Sequence, residues 1–379
     1  MTIEDLVNDY EKKLNEIYAR ANTKSKKKRI INELFNFSRL CFEYFGIEKT
    51  FEWENDIDMI LLSDSYQLPF VQNITKNGEI YKEIFSKTLN TILTSDYSVY
   101  DYNYQSYMRI TGKELEELIF EFLNSYDSTL VENFEHKLTN NELFYTYMEG
   151  FNGATYPMLN LNKSLIFYTT NIQDYYSIDT AATIVHELGH DYEMKKLSTV
   201  GKTNYYEATY GKPYYEIMSR FLEYAFINYL KENNMYKDDT NKILHTHIYD
   251  LLFRSYNISL LYKMKEVKID ESDKVKIEEK PVIEYAKELQ GKMNSYVFPA
   301  ENGDTINCRH SFIYGIGDIF SINLYESYKG DPNNFKKEIV NAILSSLYHD
   351  DISPFERVGI TKDNLEEATA LKKLLKNIK

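Results

Sequence analysis

Residues 181–193 read AATIVHELGHDYE, with the run HELGH at 186–190. Residues four apart on an α-helix lie one turn above each other, so His186 and His190 can offer two imidazole nitrogens to one metal ion. Glu187 projects about 100° further around the helix axis, close to such an ion without pointing straight at it. That position suits a base that takes a proton from water rather than a ligand. The stretch therefore predicts a metal-binding catalytic helix.

A simpler interpretation is that the two histidines only share one face of a surface helix. The residues around them argue against it, because Ile184, Val185 and Leu188 are apolar and two alanines allow close packing. The histidines are then expected to be at least partly buried, where an unpaired polar ring is costly. A bound metal ion removes that cost, which favours the metal site.

The bulk composition is that of a globular protein. The chain has 379 residues, of which 27% are charged and 43% hydrophobic, enough to bury a substantial core. No stretch rich in proline, glycine and serine marks a linker. We therefore expect one unit, with a helical N-terminal subdomain at 1–140 and a catalytic subdomain at 141–379.

Charge and hydropathy exclude several classes of partner. The net charge of −14 argues against nucleic acid, which requires basic surface. The first fifteen residues lack a secretory signal, and no apolar stretch approaches the roughly 20 residues that cross a membrane. We predict a cytoplasmic protein that has no membrane partner and keeps Cys41 and Cys308 as free thiols.

Helical periodicity dominates the chain, including most of 130–153, whereas residues 164–171 (SLIFYTTN) carry the only convincing strand signal of the central region. The HELGH helix begins after this strand, with Ser177 or Asp179 as its N-cap. Pro213 is expected in the first turn of the next helix. The predicted fold class is mainly α, with a small β-sheet beside the active-site helix.

A catalytic zinc ion needs a third protein ligand and an open coordination position. Glycine at 193 and histidine at 196 would continue one known zinc motif, but Glu193 and Lys196 stand there. Glu193 cannot easily reach the ion from its position on the same helix. Glu207 lies in a predicted loop, while Glu216 and Glu223 share a face of the next helix. Either of the latter two could bind the metal while the other supports the site.

HELGH followed by EIMSRFLEYAFINYLKENN resembles the thimet oligopeptidase and oligoendopeptidase F family of zinc metallopeptidases. The segments GATYPMLNLNKSLIFYTTN and SFIYGIGDIFSINLYESYKGDPNNF resemble two further parts of that family. The resemblance implies a zincin-type helical metallopeptidase with a substrate cleft. It also implies one Zn²⁺ ion held by His186, His190 and Glu216, with Glu187 as the base and Glu223 as a supporting residue.

For the C-terminal segment, the resemblance implies that Tyr314 and His310 lie near the oxyanion of the reaction. The alternative is that both rings make ordinary contacts within a helix. His245 and His247 are two residues apart and cannot share a helix face, which favours structural or surface roles for both. The region before HELGH is much shorter than in the family, from which we expect a more open cleft.

The sequence thus predicts a zinc metallopeptidase whose substrates are peptides, most simply an oligoendopeptidase. Two alternatives stay open. The first is a zinc carboxypeptidase of related fold, in which Arg220 or Arg309 would bind the terminal carboxylate of the substrate. The second is a peptide-binding protein that keeps the zinc site without catalysis.

Overall fold

The structure is a computed structural model of the chain. It describes residues 3–23, 26–27, 30, 33–34, 37, 41, 46, 78–95, 108–145, 152–158, 163–170, 176–199, 213–267, 274–292, 305–328, 334–349 and 351–378. Within them no helix is both long and apolar enough to cross a membrane. Glu207 lies outside the described residues.

The described part of the chain is mostly helical. Its longer helices are α1 (Ile3–Arg20), α2 (Gly78–Leu93), α3 (Gly112–Tyr126), α4 (Ser128–Thr139), α5 (Ile178–Thr199), α6 (Ile217–Glu232), α7 (Lys237–Leu261), α8 (Lys280–Lys292) and α9 (Cys308–Tyr328). A π-helical turn at Phe335–Ile339 leads into α10 (Val340–Ser346), followed by α11 (Ser353–Glu356), α12 (Lys362–Glu367) and α13 (Thr369–Asn377). The helix that carries HELGH is α5.

A small mixed sheet lies beside α5. Its strands are β1 (Leu143–Tyr145), β2 (Gly153–Met158) and β3 (Lys163–Tyr168), in the order β1-β3-β2. β3 pairs parallel with β1 and antiparallel with β2. The strand predicted at 164–171 is β3. The mainly helical fold with a sheet beside the HELGH helix is confirmed.

The prediction of helical character up to residue 153 was wrong at β1, and β2, which begins at Gly153, was not predicted as a strand. β1 has only three residues, too few to show a period of two in the sequence. β2 contains Pro157, which disfavours a strand except at an edge, and β2 is an edge strand. A second two-stranded sheet, β4 (Lys274–Lys276) with β5 (Thr305–Asn307), was not predicted from the sequence.

The sheet is covered on both faces. One face packs against α5, and the other buries apolar side chains of α1, among them Tyr10 and Leu14, against Tyr156 and Phe167. The main core forms around α5, α6, α7 and α9. This arrangement surrounds the HELGH helix with protein on most sides and explains why its histidines are buried.

The ends and contacts of α5 fix its position. Of the two predicted N-caps, Ser177 accepts a hydrogen bond from the amide of Thr180 at 3.4 Å. Further along the helix, the carboxylate of Asp191 forms an ion pair with the fully buried Lys137 of α4 at 3.2 Å and accepts a hydrogen bond from Ser164 of β3 at 2.5 Å. These contacts tie α5 to α4 and to the sheet, one residue after His190.

The start of α6 differs from the prediction. Pro213 lies in a turn at 213–216, and the helix begins at Ile217 rather than at the proline. The turn is closed by a hydrogen bond from the amide of Ile217 to the carbonyl of Tyr214, 3.2 Å long. Glu216 consequently stands at the junction between turn and helix.

Candidate metal centre and active site

Three buried side chains converge between α5 and α6. His186 and His190 extend from α5, and Glu216 extends from the residue just before α6; together they could hold a metal ion. One carboxylate oxygen of Glu216 lies 3.4 Å from Nε2 of His186 and 3.3 Å from Nε2 of His190. Ligands about 2.1 Å from a tetrahedral zinc ion lie about 3.4 Å from one another, so these spacings fit such an ion.

Close packing holds Glu216 in this position. The hydroxyl of Ser219 lies 3.1 Å from both the carbonyl and a carboxylate oxygen of Glu216 and can donate to either. A Cβ atom at Gly317 of α9 would lie only 3.0 Å from the Cβ of Glu216. The ring of Tyr215 stacks on His190 with centroids 4.9 Å apart. The glutamate therefore has little freedom to leave the two histidines.

Glu223 lies behind the histidines rather than among the three ligand candidates. It accepts a hydrogen bond from Nδ1 of His186 at 2.9 Å, which fixes the ring and leaves Nε2 directed at the site. Arg220 donates to the same carboxylate at 2.6 Å, and Nε2 of His247 lies 3.0 Å from its other oxygen. The structure thus places Glu216 in the cluster and Glu223 in the supporting position that ligating histidines commonly need.

The electrostatics of the cluster favour a cation. Burial by itself lowers the pKa of His186, but hydrogen bonds to Glu216 and Glu223 raise it to about 10. Burial raises the pKa of each glutamate, yet His190 beside Glu216 and Arg220 beside Glu223 hold both pKa values well below the usual range. The site therefore holds ionised carboxylates that attract positive charge, either a proton on His186 or a metal ion.

Glu187 lies on the side of α5 that faces β2. Its carboxylate is buried, and burial raises its pKa above the ordinary value against the opposing effect of the two neighbouring histidines. The hydroxyl of Thr155 lies 2.8 Å from one carboxylate oxygen. A carboxylate with a raised pKa is better suited to accept a proton than an exposed one.

Tyr314 of α9 lies beside the cluster. Its ring is parallel to that of His186, with centroids 6.3 Å apart. Burial and then the charges of Glu216 and Glu187 raise the pKa of the Tyr314 hydroxyl well above its usual value, so the hydroxyl remains a hydrogen-bond donor. His310 is exposed and contacts Tyr314, with ring centroids 4.4 Å apart.

The two arginines considered as carboxylate anchors differ in placement. Arg220 is buried and donates both to Glu223 and to Asp318 of α9, the latter at 2.6 Å from Nε. The carboxylates of Glu223 and Asp318 therefore neutralise its charge within the protein. Arg309 is half-buried near the start of α9. The structure does not bring Arg309 into the metal cluster.

Several residues of the site have no sequence signal. Thr155 precedes HELGH by more than thirty residues on a strand that the pattern did not predict. The sequence favours a structural or surface role for His247, which agrees with its hydrogen bond to Glu223, but no sequence pattern indicates that partner. Asp318 of α9 accepts hydrogen bonds from Arg220 of α6 and from Arg254 of α7, and it thereby connects the three helices. These residues come close to the site only when separate helices and strands pack together in the folded chain.

Comparison with known proteins identifies the fold. No family model and no curated protein matches the sequence. The chain resembles the crystal structure of a protein assigned as an oligoendopeptidase F from Bacillus anthracis strain Ames, with a TM-score of 0.54 and 13% identity over 97% of this chain and 68% of that one. It also resembles that of a protein assigned as a peptidase from Chlamydophila abortus, with a TM-score of 0.52 and 13% identity over 98% of this chain and 62% of that one.

At this identity the likeness establishes the fold alone. The chain has the helical fold of oligoendopeptidase F, which confirms at the level of fold the resemblance found in the sequence. It spans 68% and 62% of the length of the two proteins. The substrates of those two proteins do not by themselves identify a substrate of this chain.

Proposed function

We propose that this protein is a zinc-dependent peptidase that cleaves peptide bonds within oligopeptides. The observation that carries the proposal is the buried group of His186, His190 and Glu216 with Glu187 beside it. Two imidazoles and one carboxylate are a ligand set found at catalytic zinc sites, which keep the fourth position open. Calcium and magnesium prefer oxygen ligands and fit this set less well.

When bound at this site, zinc would supply Lewis acidity, lowering the pKa of water to about 7 and polarising a carbonyl group. The chain supplies the proton transfers. Glu187 would take the proton of the attacking water and deliver it to the nitrogen of the departing amine. Its raised pKa helps it to hold that proton between the two events.

Tyr314 would stabilise the negative charge that develops on the carbonyl oxygen. Its hydroxyl stays protonated and lies on a rigid helix next to His186, so it can donate without rearrangement. His310 is the second candidate for this role because it contacts Tyr314. Donors fixed before the reaction contribute more than donors that must reorient.

The edge of β2 offers a way to bind an extended peptide. The amide of Thr169 donates to the carbonyl of Asn152, which makes this a hydrogen-bonded pair of the antiparallel ladder. The alternate residues Gly153 and Thr155 then direct their amides and carbonyls away from β3. No described strand covers this edge, and a peptide could add to it as a further strand next to Glu187.

The experiment is a digest of a mixed peptide library by the purified protein, followed by mass spectrometry and metal analysis. We expect internal cuts and about one zinc ion per chain. Glu187→Gln should keep the zinc but lose hydrolysis, because an amide cannot accept the proton. Glu132→Gln, at an exposed residue of α4, is the matched control.

Other outcomes distinguish the alternatives. Trimming of single residues from C-termini would indicate a carboxypeptidase. One zinc ion per chain with no cleavage of any peptide would indicate a binding protein. Substantial turnover by the Glu187→Gln variant would contradict the assignment of the base.

A further inference from the structure

We infer that Thr155 and Gly153 of β2 are positioning residues, which hold the carboxylate of Glu187 in place for its role as base. The inference rests on the proposed peptidase function and adds residues that act through Glu187. Both residues lie on the same face of β2, two positions apart, and that face packs against α5.

The hydroxyl of Thr155 fixes one oxygen of Glu187. Its Oγ1 atom lies 2.8 Å from Oε2 of Glu187 and also 2.8 Å from the main-chain carbonyl oxygen of Glu187. The hydroxyl, which has a single hydrogen to donate to either oxygen, thus forms a contact bridge between the side chain and the backbone of the same residue. Because the backbone belongs to a well-packed helix, the bridge restricts the side-chain torsions of Glu187.

The absence of a side chain at Gly153 makes room for the other oxygen. A Cβ atom at this position would lie 2.9 Å from Oε1 of Glu187 and 3.1 Å from its Cγ. It would also lie 2.7 Å from Cγ2 of Thr183, so a side chain here requires Glu187 or Thr183 to shift. Any larger residue at 153 would push the carboxylate away from its present place.

The bridge suits both protonation states of Glu187. When the carboxylate is ionised, the Thr155 hydroxyl can donate its single hydrogen to Oε2. When Glu187 holds the proton from water on Oε1, Oε2 still accepts the hydrogen of the Thr155 hydroxyl, so the proton on Oε1 stays available to the amine. The proton later leaves with the amine, and the first arrangement returns. The hydrogen bond between Oγ1 and Oε2 is kept in both states.

The hydroxyl is not needed to form the strand. β2 pairs with β3 through backbone groups, and valine is at least as well suited to a strand as threonine. Thr155→Val therefore removes the hydroxyl and keeps the shape and the strand preference. Thr155→Ser keeps the hydroxyl and removes only a methyl group.

The kinetic test uses the zinc-loaded full chain and a peptide that the wild type cleaves. For Thr155→Val we expect kcat to fall about 10- to 100-fold, with KM within about twofold and bound zinc unchanged, because the base is misplaced but the metal ligands are intact. Thr155→Ser should recover at least about half of the wild-type kcat, since it restores the hydrogen bond.

A matched control lies on the same strand. The hydroxyl of Tyr156 donates to the carbonyl of Glu33 at 3.0 Å on the opposite face of β2. Tyr156→Phe removes a buried hydrogen bond without touching Glu187, and we expect it to keep the wild-type kcat. The inference is overturned if Thr155→Val keeps the wild-type kcat, or if Thr155→Ser loses as much as Thr155→Val.

Thermal unfolding provides a readout that does not depend on catalysis. Thr155→Val should lower Tm by about 2 to 4 °C when Glu187 is present, and clearly less in a Glu187→Ala background. Equal losses in both backgrounds would show that no hydrogen bond joins the two residues and would overturn the inference. A wild type that cleaves no peptide but shows the coupling would instead overturn the proposed function.

Discussion

His186 is held on both sides of its ring by carboxylates, and this residue links the candidate metal site to the helices behind it. Nε2 faces Glu216, and Nδ1 donates to Glu223, which Arg220 and His247 also contact. The ring can turn neither away from the site nor into solvent. A histidine fixed in this way presents one defined nitrogen to a metal ion.

The raised pKa of His186 predicts how the stability of the metal-free protein depends on pH. The pKa is 6.5 for an ordinary histidine and about 10 in the folded protein, so the folded state binds the proton more tightly. The resulting stabilisation is fully present below pH 6.5 and is lost as pH rises through about 10. Thermal unfolding of metal-free protein should show Tm falling across this window.

The comparison for this prediction is His186→Gln, which cannot carry the charge. In this variant the decline of Tm between these two pH values should be shallower than in the wild type. Identical slopes for the two proteins would contradict the prediction that His186 takes up the proton.

The proposed role of Tyr314 in stabilising the oxyanion can be tested by substitution. Tyr314→Phe removes a donor but keeps the ring, so we expect kcat to fall by about 100- to 1,000-fold, with little change in KM or bound zinc. Steady-state kinetics on one peptide measure this. Tyr325→Phe, which removes a hydroxyl of the same helix bonded to Glu232, should keep the wild-type kcat. Unchanged turnover by Tyr314→Phe would leave His310 as the donor to test.

At the scale of single residues, the sequence predicted the three residues of the candidate metal cluster better than most of their neighbours. His186, Glu187 and His190 lie within about one helical turn of one another, so the helical repeat alone relates them. Thr155 and His247 come from other elements and meet the site only in the folded chain. No local pattern encodes such contacts.

At the scale of elements, the close approach of α5 and α6 brings Glu216 to the two histidines. The approach occurs at Gly189, where a Cβ atom would lie 2.5 Å from Cα and 3.0 Å from the backbone nitrogen of Ser219. Backbone atoms cannot move aside as a flexible side chain can. The glycine inside HELGH therefore sets the distance between the two helices.

Gly189→Ala should separate the helices. We expect a destabilisation of about 1–3 kcal/mol from overpacking and a weaker affinity for zinc, because Glu216 lies three residues before Ser219 and moves with it. Thermal unfolding and zinc titration measure the two effects. Gly291→Ala is the matched control, since nothing lies within 4 Å of a Cβ atom there. Equal behaviour of the two variants would contradict this account of Gly189.

Most of the strands that the sequence pattern did not predict are short. Long amphipathic helices and β3 show their period over enough residues to be recognised, whereas β1 and β5 have three residues each. β2 is hidden by Pro157, which an edge strand tolerates because its outer side needs no amide. Pairing with neighbouring strands and tertiary packing, rather than local preference, make these segments strands.

At the scale of the whole molecule, the fold surrounds one polar site with a large apolar core. The carboxylates and cations of α5, α6, α7 and α9 neutralise one another only where these helices meet. Separating them would leave buried charges without partners, at a cost of several kcal/mol for each. The fold class was predictable because helical periodicity extends over most of the sequence. The crossing of the helices was not, because it depends on contacts between distant residues.

The central claim is that His186, His190 and Glu216 hold one zinc ion that peptide hydrolysis requires. Its most direct test strips the purified protein with a chelator and returns zinc in measured steps while peptide cleavage is recorded. We expect cleavage to disappear on stripping, to rise in proportion to bound zinc and to reach its plateau at about one ion per chain. Cleavage that survives complete removal of metal, or that stays absent after one zinc ion per chain has bound, would contradict it.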